Sequence, residues 1–185
     1  MTLEEKLLLN NYLETERLIL RPVTVKDAED VYEYGSDPET VKYVFNIYKS
    51  LEEAQGRILD YFVKDPLGKF GIELKSSHKL IGTIDFRLDT PDLKAEIGYA
   101  IGRNYWGNGY VPEAATRLLQ LGFEELGLKR INALHCSENL KSGRVMQKIG
   151  MQKEGVLHNN SQLKGRTVDD VIYAITDEQW QKNNL

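Results

Sequence analysis

The sequence predicts a single α/β domain, in which one mixed, twisted sheet of about six to seven strands is flanked by helices on both faces. Three observations support this fold class. The spacing of apolar residues changes along the chain between the 3.6-residue period of a helix and the alternation of a strand. The segments follow the order strand, three helices, three strands, helix, strand, helix, two strands. The 185 residues contain no internal repeat, linker or low-complexity stretch, which fits one domain.

The first third of the chain predicts one strand and three helices. Residues Thr15 to Val23 alternate in polarity like a strand. Thr24 then resembles a helix N-cap, with Asp27 three residues later as an acidic variant of the capping box. A second helix should open at Asp37-Pro38 and run through Phe45, and a third should begin after Ser50. The first eleven residues are expected to be an added helix or a mobile segment.

The rest of the chain returns to strand periodicity and then alternates between strands and helices. The predicted elements are, in chain order, strands over Phe70–Leu74, Leu80–Leu88 and Ala95–Ile101, a helix over Val111–Leu126, a strand over Ile131–Cys136, a helix over Leu140–Ile149, a strand over Met151–Leu157, a loop over Asn159–Gly165 and a strand over Arg166–Ile175.

Composition excludes several classes of protein. With 41% hydrophobic and 28% charged residues the chain has ample material for a core, and no apolar run approaches the roughly 18 residues of a membrane helix. The N-terminus lacks the pattern of a signal peptide, so a cytoplasmic location is expected. The net charge is −4 without a block of basic residues, which gives no support for binding nucleic acid. Cys136 is the single cysteine and the three histidines lack metal-ligand spacing, so neither a disulfide nor a metal is expected.

The most informative segment runs from Ile97 to Ala114, where a strand enters a glycine-bearing loop and the loop enters a helix. Glycines let the backbone approach an anion closely, and the free N–H groups of the helix start would point at it. This predicts a phosphate-binding loop; the alternative is a structural turn without a ligand. Dinucleotide and P-loop patterns do not fit, because Pro112 stands at the third glycine position and Asn108-Gly109 replaces the required lysine and hydroxyl.

The motifs in and after this segment resemble those of the GNAT family of N-acetyltransferases. The stretch Asn104-x-x-Gly107-x-Gly109 is similar to the family's Gln/Arg-x-x-Gly-x-Gly/Ala loop, and Asn139-x-x-Ser142 followed by Lys148-x-Gly150-Met151 is similar to its second signature. The stretch Glu14 to Arg21, and Tyr105 to Tyr110 followed by Glu113-Ala114, resemble the subgroup that acetylates ribosomal-protein N-termini. The resemblance spans Glu14 to Ala174, and implies an N-terminal extension over residues 1–13 and a GNAT acetyltransferase domain over residues 14–180.

What the resemblance implies is an acyltransferase that uses acetyl-CoA as co-substrate and an amine as acceptor. The residues it assigns to CoA binding are Tyr99, Ala100, Ile101, Asn104, Trp106, Gly107, Asn108, Gly109, Tyr110, Asn139 and Ser142. A backbone N–H of Tyr99, Ala100 or Ile101 would polarise the thioester carbonyl.

Two catalytic residues are predicted for direct attack of a neutral amine on the thioester. Glu96 is the first candidate for the base, because it interrupts an apolar strand just before the loop; a salt bridge is the alternative reading, and Asp85 and Glu154 are the other candidates. Met146 stands where many relatives carry a tyrosine that protonates the thiolate, and methionine has no proton to give. Ser142 is therefore predicted to protonate the thiolate, directly or through water.

The acceptor stays open between three possibilities. These are the N-terminal α-amine of a protein such as a ribosomal protein, a small amine such as an antibiotic or a polyamine, and no acceptor at all in a CoA-binding domain that has lost catalysis. A homodimer is also expected, formed through the final strand, Thr167 to Ile175.

Overall fold

A computed structural model describes residues 1–183 and shows one mixed sheet of eight strands. The strands are β1 (Leu13–Glu14), β2 (Leu18–Arg21), β3 (Lys69–Leu74), β4 (Leu80–Asp89), β5 (Lys94–Ile101), β6 (Arg130–Cys136), β7 (Gln152–Leu163) and β8 (Arg166–Thr176). Their order across the sheet is β1-β2-β3-β4-β5-β6-β8-β7, and within it β5 and β6 are parallel while the other neighbouring pairs are antiparallel. The predicted fold class is confirmed; the strand count of six to seven was one short, because Leu13–Glu14 adds a two-residue edge strand.

Seven α-helices flank this sheet in the described residues. They are α1 (Leu3–Leu9), α2 (Ala28–Gly35), α3 (Pro38–Val41), α4 (Leu51–Arg57), α5 (Tyr110–Gln120), α6 (Leu140–Lys148) and α7 (Asp177–Asn183). Wide π-helical turns continue α4 over Ile58–Val63 and α5 over Leu121–Glu125. No helix in this part of the chain has both the length and the apolar character to cross a bilayer.

The predicted helix starts are confirmed by their caps. The Thr24 and Asp27 side chains form a reciprocal capping box before α2, and the carboxylate of Asp37 accepts the Thr40 N–H at 3.1 Å before α3. The Ser50 hydroxyl accepts the Glu53 N–H at 3.3 Å before α4. Each cap satisfies a backbone donor that the first turn of a helix leaves free. The end of α3 was predicted wrongly, since it stops at Val41 and not at Phe45.

Two apolar cores lie on the two sides of the sheet. The larger contains residues of α1, α5 and α6, and the smaller contains residues of α2 and α4. Consecutive residues of β4 show the alternation, because Leu80 belongs to the smaller core and Ile81 to the larger. Leu7 of α1 is 1% exposed, so the N-terminal residues form the added helix rather than a mobile segment.

The C-terminal hairpin differs from its prediction in two ways. Polar composition predicted a loop over residues 159–165, but β7 continues to Leu163, with register shifts between Lys153 and Gly155 and between Leu157 and Ser161. The final strand, β8, was predicted to be free to meet a partner, and this is wrong because it lies between β6 and β7. The free edge belongs to β7, and the homodimer itself stays a prediction.

Candidate functional site

The parallel strands β5 and β6 separate halfway along their length. Their pairing runs from Lys94 opposite Arg130 to Ile97 opposite Ala133 and then ends. Beyond that point β5 stays paired with β4 up to Ile101, and β6 stays paired with β8 up to Cys136. The inner backbone edges of residues 98–101 and 134–136 therefore face a gap in place of a neighbouring strand. Backbone groups in such a gap require hydrogen-bonding partners, and an extended ligand can supply them.

A cavity of about 410 Å³ lies at this gap, within the size range of small-molecule sites. Its walls come from β4, β5, β6, β8, the start of α6, the segment that joins α3 to α4 and the far end of β7. The aromatic side chains among its lining residues are Tyr34, Tyr43, Phe45, Tyr48, Tyr61, Phe62 and Tyr99.

The glycine-bearing loop after β5 has the backbone that an anion site needs. Gly107 has φ of +81° and Gly109 has φ of +79°, both in the left-handed region that glycine adopts without strain. Gly109 is the residue that precedes α5, so the free N–H groups of the first helical turn open directly after it. A side chain would have open space at Gly107 and would meet nothing closer than 3.6 Å at Gly109, which leaves room for a ligand.

One arginine that the sequence analysis did not single out holds this loop in place. The Arg17 guanidinium donates to the Asn108 carbonyl at 3.0 Å and to the Glu113 carboxylate at 2.7 Å. Burial by itself would raise the pKa of Glu113, but hydrogen bonds from Thr15 and Arg17 outweigh it and keep that pKa below its usual value. A charged Glu113 therefore fixes the start of α5. The only signal for this contact was that both residues fall in stretches that carry the family resemblance.

The start of α6 faces β5 across the gap. The Asn139 side chain caps this helix by accepting the Ser142 N–H at 3.4 Å, as expected of an N-terminal asparagine. The Tyr99 hydroxyl lies 2.8 Å from the Ser142 hydroxyl and also donates to the Ser142 carbonyl at 2.9 Å. Burial raises the pKa of Tyr99, so its phenol stays protonated beside Ser142. Met146 is 1% exposed and belongs to the larger core.

Two further contacts of Trp106 tie the loop to its surroundings, one to α6 and one to the end of β5. The Lys141 ammonium lies 4.0 Å from the centre of the Trp106 ring, a cation–π contact. The Trp106 indole donates to the Ile101 carbonyl at 2.9 Å, so this side chain packs beneath the loop. Asn104 lines a separate, smaller cavity of about 110 Å³ between the loop and the α2–α3 region.

The three carboxylates predicted as candidate bases are placed very differently. Asp85 lines the large cavity, where its carboxylate accepts from Arg87 at 2.9 Å and from the Tyr61 hydroxyl. Glu96 accepts from the other end of the same guanidinium at 2.6 Å and from Asn132 at 3.0 Å, and it is not among the lining residues. Glu154 pairs with Arg130 at the far end of the sheet, where β6 begins.

The proton on Tyr61 is held beside Asp85. Burial, and then the hydrogen bond to the Asp85 carboxylate, raise the pKa of Tyr61 to about 12. The phenol is therefore neutral at physiological pH and can donate to that carboxylate.

Two buried polar residues of the cavity were missed by the sequence analysis. His135 donates from Nδ1 to the Cys136 carbonyl at 2.7 Å, because a carbonyl oxygen can only accept. A Cβ at Gly143 would lie 2.7 Å from the His135 Nε2, so the ring occupies space that the glycine leaves open. Asp170 is 7% exposed and accepts from the Asn160 side chain at 2.9 Å. A single His or Asp in a strand does not by itself predict a functional site. Only the order of the strands in the sheet brings these two residues to the gap.

The tip of the β7–β8 hairpin closes the cavity from the side of α3. The Lys164 ammonium donates to the Val41 carbonyl at 3.0 Å, and Arg166 forms a two-pronged ion pair with Glu138. Ser161, Gln162 and Leu163 line the cavity next to this closure. Within residues 1–183, no group of three or more His, Cys, Asp or Glu side chains is arranged to hold a metal ion.

Comparisons with a family model and with known relatives agree on one family. Residues 17–152 match the model of the acetyltransferase (GNAT) domain. The chain is 36% identical to an uncharacterized N-acetyltransferase, p20, from Bacillus licheniformis, over 91% of this chain and 97% of that protein. It is 26% identical to the [ribosomal protein uS5]-alanine N-acetyltransferase of Escherichia coli, over 91% and 92% of the two chains.

Two solved structures share the fold. The structure of a GNAT-family acetyltransferase from Bacillus anthracis superposes with a TM-score of 0.81 at 33% identity, covering 90% of this chain and 99% of that one. The microcin C7 self-immunity acetyltransferase MccE, solved in complex with acetyl-CoA and AMP, superposes with a TM-score of 0.71 at 27% identity, covering 88% and 93%.

Proposed function

Since the chain belongs to the GNAT family of acetyltransferases, we propose that its acceptor is the α-amine at the N-terminus of a peptide or protein. The protein is an acetyl-CoA-dependent N-acetyltransferase. The observation that carries the proposed acceptor is the charge of the residues that line the large cavity.

The charged side chains of the cavity are balanced in number. Two carboxylates, Asp85 and Asp170, are matched by two guanidiniums, Arg57 and Arg87. The Asp85 charge is already compensated by Arg87 at 2.9 Å. An acceptor with several positive charges, such as a polyamine or an aminoglycoside antibiotic, would gain little in such a cavity and would meet both guanidiniums. A peptide N-terminus brings a single positive charge, so it meets less repulsion from the two guanidiniums.

The chemistry of an α-amine also suits this site. Its pKa is about 8, so roughly a tenth of it is neutral at pH 7 and only modest help from a base is needed. Of the predicted bases, Asp85 is the one that lines the cavity, and we propose that it accepts the proton from the amine. Glu96 acts on Asp85 through the guanidinium that both carboxylates share. Glu154 is too remote to take part.

The donor side of the proposal uses the gap and the glycine loop. The free backbone edge of residues 98–101 would hold the extended arm of CoA, and its N–H groups would polarise the thioester carbonyl. The loop from Asn104 to Tyr110 and the start of α5 would bind the phosphates. Ser142, with the Tyr99 phenol 2.8 Å away, is placed to return a proton to the departing thiolate. These roles are carried by backbone geometry and by a hydroxyl pair that can donate.

A panel of acceptors tests the proposal. We expect a tetrapeptide amide that begins with alanine to be acetylated with a kcat/KM at least ten-fold above that of a polyamine, an aminoglycoside or the same peptide with a blocked N-terminus and an internal lysine. The alanine follows the name of the Escherichia coli relative. Faster turnover of a small amine than of every free peptide would refute the peptide acceptor and leave the acetyltransferase assignment intact.

A further inference from the structure

One carboxylate of the cavity has no role in the proposed chemistry and no obvious reason to be buried. Asp170 lies in β8 opposite Cys136 at the end of β6, beside the point where β6 has left β5. It is 7% exposed and lines the large cavity. Its side chain therefore faces the space between the two separated strands.

The hydrogen bonds of Asp170 leave part of the carboxylate open. Asn160 of β7 donates to Oδ2 at 2.9 Å. The other oxygen, Oδ1, accepts no hydrogen bond from the residues that the structure describes, and it is not an enclosed unsatisfied atom, so it can be reached from the cavity. One oxygen is thus fixed by the protein and one is available to a ligand.

The charge of Asp170 is also without a protein partner. Across residues 1–183, no lysine, arginine or histidine nitrogen forms an ion pair with it, whereas Asp85 pairs with Arg87 and Asp169 pairs with His158. A buried carboxylate without a counter-charge is costly to the fold. Such a group is retained where a ligand brings the opposite charge.

We propose that Asp170 is the residue that binds the positively charged amine of the acceptor, with Asn160 holding the carboxylate in the required orientation. The ammonium would donate to Oδ1 at the end of β6, next to the gap in which the acetyl group is delivered. Asp170 is thus an acceptor-binding residue, while proton transfer is left to other groups. This inference rests on the proposed transfer to an amine, but it holds for a peptide and for a small amine alike.

The test is a binding cycle that isolates the charge of the amine. The probes are a tetrapeptide amide that begins with alanine and the same molecule with lactic acid in place of the alanine, which exchanges the amine for a hydroxyl. Calorimetry on the CoA-saturated protein measures both affinities. We expect the wild-type protein to prefer the amine roughly 10- to 100-fold. In Asp170→Asn this preference should fall to about three-fold or less, while the affinities for the lactyl probe and for CoA stay unchanged.

Asp169→Asn is the matched control, because it removes a carboxylate from the adjacent position of the same strand. Asp169 is bonded to His158 and to the Asn159 N–H and faces the other side of the sheet, so its loss disturbs the hairpin without touching the cavity charge. This control should keep the wild-type preference for the amine. If Asp170→Asn does not fold, Asp170→Ser removes the same charge and enters the same cycle.

The outcomes separate this inference from the proposed function. An Asp170 variant that still prefers the amine as strongly as the wild-type protein overturns the inference, and so does a wild-type protein that binds both probes equally. If the protein binds neither peptide probe, the peptide acceptor is refuted. The cycle is then run with the best small amine of the panel and its hydroxyl analogue, and the preference lost in Asp170→Asn decides the inference.

Discussion

Replacing Gly109 with alanine separates the cost of a strained backbone from the loss of a binding site. Gly109 has φ of +79°, where an ordinary residue costs about 1–2 kcal/mol. The added Cβ would meet nothing closer than 3.6 Å, an ordinary contact, so no steric clash adds to that cost. For a chain of this length, each kcal/mol lowers Tm by roughly 2–4 °C. We therefore expect Gly109→Ala to fold, with a Tm lowered by roughly 2–8 °C.

Gly127→Ala is the control, because Gly127 follows α5 at a φ of +72° with no atom within 4 Å of the added Cβ. Both variants should lose similar stability in thermal unfolding. Only Gly109→Ala should weaken CoA binding, because the added Cβ would stand in the open space beside the loop and hold a phosphate away from the backbone N–H groups. The loss of one charge-assisted hydrogen bond to a phosphate is worth roughly 1.5 kcal/mol or more, so the affinity should fall about ten-fold or more. Calorimetry with CoA decides the question. If the two variants lose the same stability and both keep the wild-type CoA affinity, the loop does not bind the phosphates.

Three further predictions concern proton transfer, the cysteine and acid stability. Tyr99→Phe removes the hydroxyl beside Ser142 and should lower kcat roughly ten-fold or more without changing CoA affinity in calorimetry. An unchanged kcat would exclude a role for the Tyr99 and Ser142 hydroxyls in returning the proton to the thiolate. Cys136→Ala should stay within about two-fold of wild-type kcat, and an acetyl adduct on Cys136 in mass spectrometry would contradict direct attack. Burial by itself would raise the pKa of Asp27, but hydrogen bonds from Arg21 and Thr24 hold that pKa below its usual 3.8. The contribution of Asp27 to the free energy of unfolding is therefore complete above about pH 4 and is lost as the pH falls. Asp27→Asn should therefore cost about 3 kcal/mol in denaturant unfolding at pH 7, with a difference from wild type that shrinks in acid; a difference independent of pH would refute this account.

Local signals in the sequence were sufficient for the parts of the fold that depend on a few neighbouring residues. The Thr24 and Ser50 caps predicted helix starts, because a side chain that satisfies a free N–H acts within one turn. The glycines at 107 and 109 predicted a loop whose backbone leaves room for an anion, and both have the positive φ that glycine adopts without strain. The spacing of apolar residues likewise predicted whether each segment is a helix or a strand, because that spacing depends only on the segment itself. The order of these segments then predicted the fold class.

The parts that depend on distant residues could not be predicted in this way. A loop was predicted over Asn159–Gly165, but pairing with β8 extends β7 through most of it, to Leu163. The contact between Tyr99 and Ser142 joins positions 43 residues apart, and no spacing along the chain reveals it. For Glu96 the sequence left a base and a salt bridge open; the structure shows the salt bridge with Arg87, and the role as base stays a prediction. Position in the sheet decides which carboxylate reaches the cavity, and that is a property of strand order.

The chain connectivity of the cavity bears on how such an enzyme can be retargeted. The proposed donor side, from Gly98 through the glycine loop to Ser142, is one continuous stretch of about 45 residues. The opposite wall includes two segments far apart in the chain, the α3–α4 connection and the end of β7 at the tip of the β7–β8 hairpin. The Lys164 ammonium at that tip donates to the Val41 carbonyl at the end of α3. We expect substitutions in these two segments to change which acceptor binds, while the proposed donor side keeps its own contacts. Because these two segments contact each other, a graft that is meant to change the acceptor should exchange both of them together.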